Sequence, residues 1–431
     1  MRYYLIIGFV SILILGQSVV FAQAKYENIQ IPLGKFDYEY SGCEPSIAID
    51  ASNPNKIVAG SILNGYHYSI DAGKTWKSKA LVSPFGVYGD PVLKVDGRGR
   101  IYYFHLASYA KTTHLDRIVC QFSDKISGPF SKGSSPKPNG TKVQDKQWVT
   151  IHPETNHLYM TWTQFDAYDS SNPEDSSFIM FSKSIDGGIS WSIPLRISKY
   201  GGDCLDGDNT VEGAVPAIGL DNALIVTWTG PNGLMMQRSM DDGKTWLPQE
   251  KKIIDHPGGW DIDIPGFYRA NGLPFLVSDM SRGERNGTLY LNWCDQGNGP
   301  DDTDVFLMFS NDNGENWQGP IQVNKETRAT HQFLTCLTVD QVNGDLHFVY
   351  YDRSSYPEGS LKTDVAWTVS NDGGQSFKET IISEKPFQPN EYNFFGDYLG
   401  IAAHDGKVRP IWPRMDQGRI SLWTALIDLT E

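Results

Sequence analysis

The chain has 431 residues, of which 20% are charged and 12% aromatic, with 42 Gly and 24 Pro. That balance excludes a disordered chain and indicates a turn-rich globular β protein. A formal net charge of −14 excludes nucleic acid and an anionic membrane surface as partners.

At the N-terminus Arg2 precedes the apolar run LIIGFVSILIL, and VFA and AQA offer small-residue cleavage points near Ala22 and Ala24. Residues 1–24 therefore read as a cleavable signal peptide and 25–431 as one exported domain, secreted or periplasmic, without a stable membrane anchor. No later run approaches the ~18 apolar residues that span a bilayer. The five cysteines, Cys43, Cys120, Cys204, Cys294 and Cys336, are widely spaced and form no CxxC pair, so neither a disulfide framework nor a zinc site is indicated.

Seven strand-like openings follow in order: EPSIAID from Glu44, DPVLKVD from Asp90, KQWVTIH from Lys146, GAVPAIGL from Gly213, GLPFLVSD from Gly272, FLTCLTVD from Phe333 and DYLGIAAHD from Asp397. They lie about 46 to 67 residues apart, and each is followed by a second strand such as IVAGSI or HLYMTWTQ. A third strand then runs into a repeated turn. It reads SIDAGKTW at Ser69–Trp76, SIDGGISW at Ser184–Trp191, SMDDGKTW at Ser239–Trp246, SNDNGENW at Ser310–Trp317 and SNDGGQSF at Ser370–Phe377. SDKISGPF at Ser123–Phe130 is a worn copy. In this pattern the Asp carboxylate can hold backbone N–H groups, Gly supplies positive φ, and the last aromatic packs under the hairpin.

Four-stranded units at this period predict an all-β fold, a β-propeller. Seven blades is the count, with six the alternative if the first or last unit is misread. The last unit has three strands, ending in ISLWTALI at Ile420–Ile427, and YENIQIPL at Tyr26–Leu33 can supply its outer strand and close the ring.

The repeated turns join third to fourth strands, which puts Asp71, Asp186, Asp241, Asp312 and Asp372 on the face opposite the ligand and makes them structural. Loops entering the inner strands bring Glu44, Asp90, Asp145, Glu212, Trp260, Arg269, Asp397 and Tyr398 to the other face. Loops between second and third strands add His105, Tyr168, Arg353 and Arg414. Carboxyls suit glycoside hydrolysis, the Arg fork suits a carboxylate or sulfate, and Trp and Tyr stack on sugar rings. Asp301, Asp302 and Asp304 in a Gly- and Asn-rich loop admit two readings, a calcium site or a solvated acidic loop. No other cofactor is indicated.

The S-x-D-x-G-x-x-W repeats in an exported propeller resemble the Asp-box, or BNR-repeat, proteins of the sialidase-like superfamily. The stretches DGRGRIYYFHLAS, DGDNTVEGAVPAIG, GWDIDIP and FFGDYLGIAAHDGKVRPIW carry the same resemblance to exported bacterial members. For sialidases it implies six blades, three arginines on a substrate carboxylate, a Tyr nucleophile paired with Glu, and an Asp acid. Carried over, Arg269, Arg353 and Arg414 are the clamp, Tyr398 the nucleophile, Glu212 its base and Asp90 the acid, with Trp260 and His105 lining the substrate. The chain departs from the pattern at its first blade, where CEPSIAI puts Glu44 in place of the family's first arginine.

The expected function is therefore a sialidase-like glycoside hydrolase acting on extracellular glycans, with a glycan or polysaccharide as partner and a monomer as the working state. One alternative is a uronate-polysaccharide lyase of the seven-bladed type to which ulvan lyases belong, using His105, Tyr168 and Lys183. The other is a non-catalytic propeller that binds glycan or protein.

Overall fold

Each strand–turn period closes into one antiparallel sheet, because the apolar inner and second strands can bury both faces only against neighbouring copies. The computed structural model describes residues 26–34, 40–108, 114–325 and 328–429. The predicted signal peptide lies outside them. The result is a seven-bladed β-propeller.

The inner strands are Ser46–Ile49, Val92–Val95, Val143–Ile151, Glu212–Ile218, Phe275–Ser278, Gln332–Val339 and Gly400–His404. Each packs on the next, and the seventh returns to the first. Second strands of blades three, four, five and seven carry Trp162, Trp228, Trp293 and Trp412, all buried between blades. All five cysteines are buried thiols without a disulfide.

The ring closes as the strand pattern predicts. Asn28–Ile31 pairs antiparallel with Leu422–Ala425 at the outer edge of blade seven. Arg409 then clasps blade seven to blade one: its Nε donates to the Ala72 carbonyl at 2.8 Å, and its Nη2 to Asp428 Oδ1 at 2.8 Å. Gly73, at φ +88°, leaves room for that guanidinium.

Blade two departs from the four-strand expectation, with Val92–Val95, Ile101–Ala107 and Arg117–Ser123 only. Its outer place is held by a single bridge between Cys120 and Ser134. Pro129, Pro136 and Pro138 in that stretch have no N–H to give a ladder.

The repeated turns share one geometry. Ser69 Oγ donates to Asp71 Oδ1 at 2.7 Å and accepts from the Gly73 N–H, while Thr75 N–H and Oγ1 both donate to the Asp71 carboxylate. Asp186, Asp241, Asp312 and Asp372 repeat it. All five sit at the blade ends away from the starts of the inner strands.

Candidate active site

Glu44, Asp90, Lys146 and Tyr398 occupy one register position in blades one, two, three and seven, two residues before the axis-facing Ser46, Val92, Trp148 and Gly400. Glu44, Asp90 and Lys146 each have φ +49°. A non-glycine residue rarely adopts that left-handed backbone, and strain of this kind collects at functional sites. In blade three it begins a bulge, Lys146 and Gln147 opposing Trp162 alone. The bulge breaks the alternation of the strand and re-aims its side chains. Gly396 completes the approach from blade seven, since a Cβ there would stand 2.7 Å from the Glu44 backbone nitrogen.

These residues form a buried charged cluster over the axis. Lys146 Nζ lies 2.8 Å from Asp397 Oδ2 and 3.9 Å from Asp90 Oδ2. Arg269 grips Asp397 with two nitrogens, Nε to Oδ1 at 2.8 Å, and reaches Asp206 Oδ2 with Nη1 at 2.9 Å. Arg269 and Trp260 arrive on an extra hairpin, Asp261–Ile262 paired with Ala270–Asn271, inserted between blades four and five. The guanidinium stacks on the Trp260 ring at 5.1 Å, and the indole N–H donates to Glu212 Oε2.

Burial sorts the cluster into neutral and charged members. Burial and then Asp90 push the Glu44 carboxyl well up, and burial and then Asp206 do the same to Glu212. Burial also raises Asp90, whose carboxyl hydrogen-bonds with Glu44. Asp397 goes the other way: burial raises it, but Lys146 and Arg269 together hold it below the usual carboxylate range. Burial works against the Lys146 ammonium too, yet Asp397, Asp145 and Asp90 raise it well above an ordinary lysine. Tyr398 stays a phenol, pushed up by burial and then by Asp90 and Glu44.

Asp145 differs from the rest because it floors an open cavity of about 530 Å³ lined also by His114, Leu115, Val143, Asp166 and Tyr168. Burial raises its carboxyl to about 7, with Lys146 working against that rise. Asp166 shares the cavity and is ion-paired to Lys142, and its Oδ2 accepts the Ser176 N–H at 3.2 Å. Tyr168 stands exposed at the mouth, its hydroxyl donating to Asp206 Oδ2 at 2.7 Å.

The structure thus brings Tyr398, Glu212, Asp90, Arg269 and Trp260 into one cluster and leaves three predicted residues elsewhere. Glu212 accepts the Trp260 indole N–H, and burial pushes its carboxyl well up. Arg353 donates to the Pro265 carbonyl at 2.7 Å and to Thr363, over the Phe333 ring. Arg414 pairs with Asp416 at 2.8 Å and lies over Trp423. Arg269, Arg353 and Arg414 therefore hold three separate sets of partners, and Arg269 is already saturated by two carboxylates. His105 lies inside its strand with no exposure, Nδ1–H donating to Leu106 O at 2.9 Å, and burial lowers it to about 4. Lys183 is ion-paired with Asp242 beside one of the repeated turns.

The acidic triplet does not gather either. Asp304 opens a strand of blade five, and Asn298, Gln322 and Asn324 occupy its oxygens, while Asp301 lines another cavity with His331 and Arg353. Among the described residues no three His, Cys, Asp or Glu are placed to hold a metal ion. In this acidic loop the inner carboxylate, Asp304, is consumed by amides. Sequence reading missed Lys146, Asp166, Asp206 and the central Trp148. Only Lys146 carried a signal, its alignment with Glu44 and Asp90 at the start of a blade.

No protein-family model and no curated protein matches the chain. Among solved structures it is similar to a protein of unknown function from Dyadobacter fermentans, at 11% identity and TM-score 0.51 over 94% of this chain and 98% of that one. It is similar to the endosialidase of phage phi92, at 12% identity and TM-score 0.52 over 95% and 70%. An ulvan lyase bound to -[GlcA(1-4)Rha3S]- aligns at 12% identity and TM-score 0.51 over 93% and 94%. At such identities these likenesses show the propeller fold, which hosts hydrolases and lyases alike.

Proposed function

We propose that the chain is an exported glycoside hydrolase that cleaves an extracellular glycan in the cavity above Asp145. The observation that carries this reading is a buried carboxyl raised to about 7 at the floor of an open cavity, with a second, ion-paired carboxylate in the same walls. A general acid works best when its pKa is near the working pH, and glycoside hydrolysis needs one protonated carboxyl and one ionised. Asp145 gives its proton to the glycosidic oxygen as the bond to the sugar carbon breaks. Asp166 takes a proton from the water that adds to that carbon. Tyr168 at the mouth offers a ring face to the sugar.

The buried cluster behind Asp145 sets this acid and does not clamp an anion. Lys146 and Arg269 are both neutralised by Asp397 and its neighbours, so among the described residues neither is a spare cation for the cavity. Support is therefore better for a neutral glycan than for a sialoside or a uronate, and Tyr398 serves as a neutral phenol of the cluster. Export rests on the leader in residues 1–24 and the monomeric state on the closed ring.

The purified protein is tested on neutral glycosides, sialosides and uronate polysaccharides. Turnover of a neutral glycoside is expected, falling roughly 10²–10⁴-fold in Asp145→Asn and Asp166→Asn without loss of melting temperature. An unsaturated product absorbing in the ultraviolet would make the protein a lyase. Binding of glycan with no turnover on any substrate would make it a lectin-like module.

A further inference from the structure

Below the charged cluster the propeller axis is a second, separate cavity of about 320 Å³. Its walls are the inner strands of all seven blades, and the side chains facing the axis mix apolar Val92, Val215, Phe275 and Val277 with polar Ser46, Thr150 and Thr338. Trp148 closes its upper end, packed edge-on against Phe275 at 5.0 Å and Tyr398 at 5.4 Å. Pro153, Met280 and Gln341, from the hairpins between inner and second strands, reach its other end, which lies on the side of the repeated turns. The tunnel is thus walled off from the cavity over Asp145.

One charged residue lines it, Lys94. The same register position in the other blades holds Ala48, Thr150, Ala217, Val277, Thr338 and Ala402, so the lysine is not a requirement of the repeat. Among the described residues the Lys94 ammonium has neither a hydrogen-bond acceptor nor a carboxylate partner, whereas Lys146 has several. The ionisable neighbour it does have, Cys336, is pushed up to about 12 by burial and stays a neutral thiol. Lys94 is half-buried, and its ammonium meets the tunnel without a counter-charge that an entering anion would supply; burial lowers its pKa. The volume lies at the lower end of the range of small-molecule sites, ~300–1,000 Å³.

We infer that this tunnel binds a small amphiphilic carboxylate, its anionic end on Lys94 and its apolar body along the inner strands. Charge complementarity sets the polarity of the ligand, since among the described residues the lining offers one cation, no carboxylate and apolar side chains such as Val92, Val215 and Val277 for a short aliphatic body. The site stands apart from the proposed hydrolytic one and does not depend on it.

Octanoate is the probe, titrated calorimetrically into the full protein beside octylamine. Saturable binding of octanoate and none of octylamine is expected, with octanoate weakened at least tenfold in Lys94→Met and Lys94→Gln. Asp145→Asn should bind octanoate as the unaltered protein does, which separates this site from the cavity above. Absence of saturable octanoate binding overturns the inference, as does equal binding of octylamine. Unchanged affinity in a folded Lys94 variant overturns it too, and the wild-type comparison stands even if neither variant folds.

Discussion

Lys146 and Asp397 meet at 2.8 Å from blades three and seven, which are not neighbours in the ring. The pair therefore joins the two sides of the propeller across its axis, with Arg269 bound to the same carboxylate. Taking Lys146 away leaves Asp397 and Asp90 buried with a single cation between them. Lys146→Met is expected to cost about 3–5 kcal/mol, the usual effect of breaking a buried ion pair. In a denaturant titration, Lys146→Met with Asp397→Asn should lose less than the two single losses added, and strict additivity would show that the pair is not coupled.

Asp145 and Asp397 predict opposite pH effects. The Asp145 carboxyl titrates near 7 in the fold and near ~3.9 in an unfolded chain, so its contribution is complete below ~3.9 and is lost as the pH rises through about 7. Asp397 is depressed, so its contribution is present above ~3.9 and is lost as the pH falls through its lower folded value. Melting temperature should decline between about pH 4 and 7 and level off above that, and Asp145→Asn should flatten that decline. A slope unchanged by Asp145→Asn would place the titration elsewhere.

Trp148 separates two environments, the charged cluster and the apolar tunnel. Trp148 is half-buried at the tunnel end, and Trp148→Ala is expected to cost about 0.5–3 kcal/mol, the range of most single substitutions. It should also let water reach the cluster from below and draw the Asp145 titration toward ordinary carboxylate values. Carboxyl titration by NMR against a folded Trp148→Ala variant reads this, and an unmoved Asp145 would mean that another group keeps the water out.

The sequence revealed the frame of this molecule more readily than its chemistry, for a physical reason. A turn built as Ser69, Asp71, Gly73 and Trp76 needs those residue types within eight positions, so five copies are visible without any structure. The cluster is assembled from Glu44, Asp90, Lys146, Glu212, Arg269 and Asp397, one or two residues per blade, with no local pattern to announce it. Arg269, Arg353 and Arg414 looked alike in the sequence as loop arginines, yet one lies in the cluster, one over Phe333 and one over Trp423. Their partners come from other blades or from the folding back of loops, which spacing does not encode. Asp166 is the same case, because the cavity it shares with Asp145 depends on the path of two loops.

Arg409 is buried among backbone carbonyls, donating to Ala72, Val408 and Ile427 as well as to Asp428. Arg409→Met would leave those acceptors without a charged donor and should cost ~3 kcal/mol. The loss should fall on the seam between blades one and seven. Hydrogen exchange is therefore expected to rise first in Asn28–Ile31 and Leu422–Ala425, and a uniform rise over all blades would contradict that.

That seam also fixes when the molecule can be finished. Asn28 pairs with Ala425, about 400 residues further along the chain. Asn28–Ile31 has no lasting neighbour until Leu422–Ala425 appears, and closing so long a loop is slow. Blades one to six can form in turn as an open arc, with two raw sheet edges exposed. Completion of the ring then waits for Leu422–Ala425, and loss of that strand would leave the arc open to other chains.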